Sequence, residues 1–384
     1  MKTLTFFAPN LSGGGAERAA VNLARCWSER GVTVHFVLLE REGAYLDQVP
    51  DTVKIFDFGG RKLLKSAQCL FNYLENERPD LLISILNEPS IFVLLLRAFA
   101  KIVKPNSFTA SIPIVVNVQN NVSTEAKFAR NFKTWTMPLL ARLFFPWAES
   151  VVPVSQGVGD DLIHLGIPAS KIQVIHNPVV TPGLLQQAQK TVAHPWFAPG
   201  QPPVIVAVGR LEAQKDYLTL FQAFAIARKT RFMRLVILGE GDLRKELEAR
   251  VEAMGLSGDV ILPGFASNPF SYVAASSLFV LSSIFEGLPT VLIEAMAVGT
   301  PVVSTDCPSG PHEILSGGHY GPLVKMRSPE ALAAAMLARL DMPRNSEFLK
   351  QRANKYSLEA SVNAYSKLCN LETRIDSERL VQSV

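Results

Sequence analysis

The chain has 384 residues, a length that suggests two domains at about 100–200 residues each. Apolar residues make up 48% and charged residues 19%, which excludes a disordered chain and supplies enough apolar surface for substantial cores. The net charge is +4; residues 1–190 carry 19 Lys and Arg against 15 Asp and Glu, and residues 191–384 carry 19 of each. So small an excess, with no nucleic-acid-binding motif, disfavours nucleic acid as a partner.

The first residues, MKTLTFFAPNLSGGG, hold one Lys, a short apolar stretch and no cleavage-site pattern, and read as a first strand rather than a signal peptide. Short apolar, β-branched runs follow: LTFFAP, VTVHFVLL, VKIFDF, DLLISIL, IPIVVNV and SVVPVS. Helical patterns such as GAERAAVNLARCWSERG and RKLLKSAQCLFNYLENE separate them. The most apolar segment, SIFVLLLRAFAKIV, is cut by Arg97 and Lys101, and no run of 18 apolar residues predicts a membrane span. At about residues 178–203 the alternation lapses into a proline-rich stretch that reads as a linker. It restarts with VIVAVG, RLVILG, DVILPG, LFVLS and PVVST.

This alternation predicts an α/β chain of two Rossmann-like, doubly wound parallel-sheet domains facing a central cleft. The expected division is 1–180, a linker over 181–202, a second domain over 203–355, and a helical tail over 356–384 packing back on the first domain. Four cysteines (Cys26, Cys69, Cys307, Cys369) show no C-x-x-C spacing, and the six histidines show no metal-ligand spacing. Neither a disulfide framework nor a zinc site is expected, and reduced thiols fit a cytoplasmic protein.

Three segments carry candidate chemistry. In NLSGGGAERAAVNLA, Gly13, Gly14 and Gly15 follow a strand and open a helix, where bare backbone amides favour an anion; a tight turn without ligand is the alternative. The dinucleotide spacing G-x-G-x-x-G fails here and again at ILGEGDLRKEL, where Arg18 and Arg244 occupy the third position, which disfavours a nicotinamide enzyme. In VAVGRLEAQKDYLTLFQAF, Arg210 and Lys215 follow a strand and precede a helix, suited to forked and point-charge contacts with phosphate; a solvated surface pair is the alternative. In FEGLPTVLIEAMAVGTPVV, a helix begins near Thr290 after Pro289 and stops before Gly299 and Pro301. Its first amides suit a diphosphate, Glu294 on the second turn suits a ribose diol, and Glu286 before the helix suits a sugar's hydroxyls. Ordinary capping or surface glutamates remain the other reading.

Together these stretches resemble the retaining glycosyltransferases of the large family 4, which have the GT-B fold. FEGLPTVLIEAMAVGTPVVST looks like the E-x7-E signature, VGRLEAQKD like the phosphate loop, LPGFASNPFSYVAASSLFVLSSIFEG like the uracil-side loop and following strand, and LSGGGAER like the N-terminal glycine loop. VIHNPV, DCPSGPHEIL and SGGHYGPLVK resemble further landmarks in the same order, so the resemblance spans nearly the whole chain. It implies that Arg210, Lys215 and Glu286 serve catalysis. Gly14, Gly15, Gly209, Gly264, Phe265, Gly287, Leu288, Pro289, Thr290, Val291 and Glu294 would bind a nucleotide-sugar donor. Glu17, Gln119, Asn120 and Asn177 would face the acceptor.

The implied activity is transfer of a hexose or N-acetylhexosamine, with retention, from a nucleotide sugar to a glycan or lipid-linked acceptor. The segment ending in FEGLP resembles members using UDP-linked donors. No D-x-D motif is present, and metal-independent transfer with no other cofactor is expected, the donor's own phosphate taking the acceptor's proton. Many relatives carry a His where VVNVQNNVS offers Gln119, which hydrogen-bonds but does not shuttle protons at neutral pH. A sugar-nucleotide epimerase and a non-catalytic nucleotide-sugar binder are the competing readings; no histidine–carboxylate set supports the first.

Residues 97–147 hold seven basic residues against one acid, Glu125. Within them Phe128, Phe132, Trp135 and Leu139 recur at helical spacing, flanked by Lys127, Arg130, Lys133 and Arg142. An amphipathic helix on the anionic inner face of a plasma membrane is one reading, and aromatics packed into the first domain the other.

Overall fold

The computed structural model describes residues 2–12, 14–60, 62–129 and 131–371. The chain divides into two compact units, one of residues 1–178 joined by those from 358 onward, the other of residues 179–357.

The first unit is built on six parallel strands: β1 (Thr3–Ala8), β2 (Thr33–Leu38), β3 (Lys54–Asp57), β4 (Leu81–Ile85), β5 (Ile114–Val118) and β6 (Ser150–Pro153). Their spatial order is β3-β2-β1-β4-β5-β6. Strands β4, β5 and β6 are buried along their whole length, as runs covered by helices on both faces must be. The core is aromatic at its centre: Phe6 stacks between Trp27 and Phe36 at 5.8 and 5.2 Å. Trp27 also meets Tyr365 edge-on at 6.0 Å. Tyr365 belongs to the Leu358–Leu368 helix, whose buried Val362 and Tyr365 join this core. The tail thus supplies part of the first unit; its residues from 372 lie outside those described.

The second unit repeats the plan with β7 (Val204–Val208), β8 (Arg234–Leu238), β9 (Val260–Gly264), β10 (Leu278–Leu281), β11 (Val302–Thr305) and β12 (Leu323–Val324), in the order β12-β11-β10-β7-β8-β9. Counted from each unit's own first strand, both sheets read 3-2-1-4-5-6, the doubly wound order whose crevice opens beside the first and fourth strands. The two-residue edge β12 carries no sequence pattern that announces it.

Residues 181–202, expected as a linker, are an integral part of the second unit. Thr181 accepts from Leu184 N at 3.2 Å and Pro182 opens a helix, Pro182–Ala188. Asn268 Nδ2 donates to Gln187 O at 2.9 Å, and Phe197 packs edge-on to Tyr272. Proline here starts helical turns instead of marking slack chain.

The single aromatic helix read between residues 125 and 150 is two helices, Val122–Lys127 and Phe132–Phe144. Asparagine is the reason: Asn121 accepts from Thr124 N at 2.9 Å and Asn131 from Thr134 N at 2.8 Å, and each cap begins a new helix. Arg130 lies outside the described residues. The aromatics do not pack inward: Phe132 is 76% exposed and Trp135 64%. The neighbouring Asn87–Val103 helix adds exposed Phe99 and Ile102, the latter at 82%. Arg97, one of the seven basic residues counted above, is buried, donating to Ile112 O at 3.0 Å and to Trp147 O.

Candidate functional site

In the second unit the candidate residues gather where β7 and β10 end. Beyond β7 the chain passes through Gly209 and Arg210 into a tight turn, Ala213–Lys215. Asp216, at φ +46°, then caps the Tyr217–Thr230 helix, accepting from Thr219 Oγ1 at 2.7 Å. The stem of Lys215 crosses directly over Gly209: a Cβ there would lie 3.0 Å from both Lys215 Cε and the Tyr217 hydroxyl oxygen. A side chain at 209 would crowd that path.

Lys215 Nζ donates to Glu286 Oε1 at 2.6 Å, and Ser283 Oγ donates to the same oxygen at 2.6 Å. Both charged side chains are nearly withdrawn from solvent, 14% and 8% exposed. The glutamate's backbone is held as firmly, Glu286 N donating to Pro308 O at 2.6 Å and Ser309 N to Glu286 O at 2.8 Å. Two donors on Oε1 leave Oε2 as the carboxylate's remaining acceptor.

After Glu286 the chain runs through Gly287, Leu288 and Pro289 into the Thr290–Ala297 helix. Pro289 occupies the cap position and supplies no side-chain acceptor, so the amides of Thr290 and Val291 lack a side-chain cap. Gly310, at φ +96°, braces this loop from behind: a Cβ there would stand 2.5 Å from Pro289 Cδ and 3.0 Å from Gly287 O. Glu294, in the helix's second turn, is buried.

Arg210 is 68% exposed and pairs with Glu212 at 2.9 Å, so it reaches into solvent while Lys215 does not. The Gly239 and Gly241 pair is explained by close packing: at φ +151° and +159°, their absent Cβ atoms would lie 2.0 Å from Gly209 O and 2.6 Å from Leu211 N. These glycines let the β8 loop press against the Arg210 loop. Gly264, at φ +96°, sits against the Glu240 carboxylate, and Phe265 beside it is exposed.

In the first unit, Gly14 caps the Gly15–Glu29 helix without a side-chain acceptor, and the Glu17 carboxylate folds over it, 2.3 Å from where a Cβ would stand. Gly13 lies outside the described residues. Gln119 faces Asn177, whose Nδ2 donates to Gln119 Oε1 at 2.8 Å, and donates in turn to Asn117 Oδ1. Asn117 Nδ2 reaches the Tyr365 hydroxyl at 2.8 Å. The position of the family's usual His is therefore a chain of amides, fit to hold hydroxyls and unfit to carry a proton. Beside it a cavity of about 270 Å³ opens at the ends of β1, β4 and β5, with Asn120 in its wall. Sequence reasoning missed Asn117 and Asn87 of this region, and Ser283 and Gly310 of the other. The S-x-x-E spacing before Glu286 was the available signal for Ser283.

A cationic pair, an uncapped helix start and two buried carboxylates gathered at these strand ends suit an anionic diphosphate flanked by neutral hydroxylated groups. Residues 13–181 match the family described as Glycosyltransferase Family 4, and residues 189–356 the family described as Glycosyl transferases group 1. The chain belongs to the group 1 glycosyltransferases of the GT-B fold. It is 28% identical over 364 residues to a Campylobacter jejuni N-acetylgalactosamine-N,N'-diacetylbacillosaminyl-diphospho-undecaprenol 4-alpha-N-acetylgalactosaminyltransferase, covering 92% of this chain and 94% of that one. A lipopolysaccharide 1,6-galactosyltransferase of Salmonella typhimurium is 34% identical over 183 residues, 46% of this chain and 48% of the other. Among solved structures, a Rickettsia africae glycosyltransferase aligns with a TM-score of 0.75 at 18% identity, over 96% of this chain and 97% of that one. Anabaena HepE in complex with UDP aligns at 0.72 and 19%, over 96% and 100%.

Proposed function

We propose that this glycosyltransferase moves a hexose or N-acetylhexosamine from a UDP-sugar to a hydroxyl of a lipid-linked or lipopolysaccharide glycan, with retention at the anomeric carbon. The observation that carries the reading is the Lys215–Glu286 pair set beside the uncapped start of the Thr290–Ala297 helix. The helix amides, Lys215 and Arg210 meet the diphosphate, Glu294 the ribose, and Glu286 the transferred sugar's hydroxyls. The bond from the anomeric carbon to the diphosphate oxygen breaks, and a bond to the acceptor oxygen forms on the same face. The acceptor's proton passes to the departing phosphate, and UDP leaves with the charge it gained matched by Arg210, Lys215 and the amides, with no metal ion required. Gln119, Asn120, Asn177 and Glu17 serve the acceptor. The uridine preference rests on the resemblance of the segment ending in FEGLP.

The relatives' names support the acceptor class: the Campylobacter enzyme is named for a diphospho-undecaprenol-linked saccharide and the Salmonella enzyme for lipopolysaccharide. Among the described residues no helix is long and apolar enough to cross a membrane. The reading therefore places the protein on the cytoplasmic face of the plasma membrane, seated by the exposed apolar side chains of the Asn87–Val103 and Phe132–Phe144 helices with Lys101, Lys127 and Arg142 nearby.

The test is a thermal-shift panel of UDP, GDP and their sugars, followed by incubation with labelled UDP-sugar alone. Stabilisation by UDP and slow release of free sugar are expected. An epimerised product, or no response to any nucleotide, overturns the reading.

A further inference from the structure

The loop after β10 and the loop after β7 are bonded to each other at several points. Ser282 Oγ donates to Lys215 O at 2.6 Å, and Ile284 N to Gln214 O at 2.9 Å. Gln214 Nε2 returns a bond to Phe285 O at 2.9 Å. Between these ties sits Ser283, fully buried just past the end of β10. Its carbonyl accepts from Thr305 Oγ1 of β11 at 2.6 Å, and its hydroxyl donates to Glu286 Oε1 at 2.6 Å. The backbone that carries this hydroxyl is therefore anchored to the sheet.

The other donor on Oε1, Lys215 Nζ, is of a different kind. It is a point charge at the end of a flexible stem, and its ammonium has N–H groups to spare for a phosphate. Turning them toward one stretches or breaks the bond to Glu286. As a diphosphate departs its negative charge grows, so its pull on the ammonium rises at the moment the sugar must be held still. A carboxylate gripped by Lys215 alone would follow the lysine. Ser283 is under no such competition, because a neutral, buried hydroxyl on an anchored backbone has no reason to move.

We infer that Ser283 is a positioning residue for the transfer: it keeps Glu286 aimed at the sugar while Lys215 turns to the leaving diphosphate. The inference rests on the transferase reading above. Ser283 touches no substrate in this arrangement and acts through the Glu286 carboxylate, whose second oxygen keeps its direction only while the first is held. Its loss is therefore felt where the sugar is held, and not by UDP, which brings no sugar for Glu286 to hold.

The experiment compares S283A with the parent protein, both as the full chain. It reads UDP affinity, and the rate of sugar release from whichever of UDP-glucose, UDP-galactose and their N-acetylhexosamine counterparts the parent consumes fastest. The expected result is a loss of about tenfold or more in kcat for release, with UDP affinity unchanged within about twofold. A merely structural weakening lowers both together. S283C places a weaker donor in nearly the same space and should fall between the parent and S283A. Should S283A fail to fold, S283C carries the test, with a loss of about threefold or more expected at unchanged UDP affinity. A smaller loss of release, or UDP affinity falling in step with it, overturns the inference. A parent protein that neither binds UDP nor releases sugar removes the transferase reading itself, whereas a parent that does both, with S283A equal to it, removes the role of Ser283 alone.

Discussion

Lys215 and Glu286 stand 71 positions apart in sequence and meet as a nearly buried ion pair, Nζ to Oε1 at 2.6 Å. The pair joins the loop after β7 to the loop after β10, the two strand ends beside which a doubly wound sheet opens its crevice. Ser283 adds a second donor to the same oxygen, so the carboxylate's orientation is set before any ligand arrives.

Breaking that pair from one side is expected to be costly. Lys215→Met leaves Glu286 charged and unmatched in a site that excludes most solvent, and about 3–5 kcal/mol of destabilisation is expected. Glu286→Leu should cost a similar amount. Removing both should cost less than the sum, because neither charge is then stranded. Urea unfolding of the two single variants and the double checks this; strict additivity would show that the pair is not coupled.

Arg210 should behave in the opposite way. It is mostly exposed, and its contact with Glu212 is a surface ion pair. Arg210→Ala should change stability by less than about 1 kcal/mol. Transfer from a UDP-sugar should nevertheless fall about 10²–10³-fold, if the guanidinium meets charge that appears only as the diphosphate leaves. Steady-state rates beside a thermal melt read both; an unchanged rate removes Arg210 from the mechanism.

The exposed aromatics make a prediction that needs no substrate. Sedimentation with vesicles containing anionic lipid should show binding that weakens with salt, and W135S combined with L139S should lower it about fivefold or more. Those side chains are solvent-exposed, so the fold should tolerate the change. Absence of binding at low salt sinks the membrane seat.

A buried histidine is expected to make the first unit sensitive to acid. His35 Nδ1 lies 2.9 Å from the Tyr73 hydroxyl, which also contacts Thr5 Oγ1 at 2.6 Å; His35 Nε2 is buried without a partner. Its ring packs against Phe56 and Tyr73. Burial pushes its pKa below the ordinary 6.5, with Lys54 acting in the same direction and Glu77 opposing. The unfolded chain therefore takes up the proton first as pH falls. The stability held with neutral His35 is complete above pH 6.5 and declines below it, toward the lower folded pKa. H35F should flatten the fall in melting temperature between about pH 7.5 and about pH 5 relative to the parent chain. An identical slope in both proteins would show that His35 is not the sensor.

Much of the architecture was legible because parallel strands covered on both faces are apolar runs, and among the described residues eleven of the twelve strands carry such a run, the edge strand β3 only through Ile55 and Phe56. The twelfth, Leu323–Val324, is too short to carry a pattern. The misreadings share a cause. Proline at 182 looked like slack chain because composition does not distinguish a helix's first residue from a break. Phe128 and Phe132 kept helical spacing across a junction that two asparagine caps had already divided. Arg97 entered the count of basic residues without a sign of its burial, because only the fold brings the carbonyls of Ile112 and Trp147 to it.

For the site, order along the chain was enough to single out Lys215, Glu286, Glu294 and the helix start, since glycine, proline and charge near a strand's end have local reasons to be there. Contacts across long sequence separations had no such local trace. That Glu286 is gripped by Lys215 and Ser283, that Gly310 braces the loop at Pro289, and that Gln119 is bonded to Asn117 and Asn177 depend on loops from different strands converging. Residue type and spacing decide what a segment is able to hold; only the packing of distant segments decides which groups are already occupied and which still await a partner.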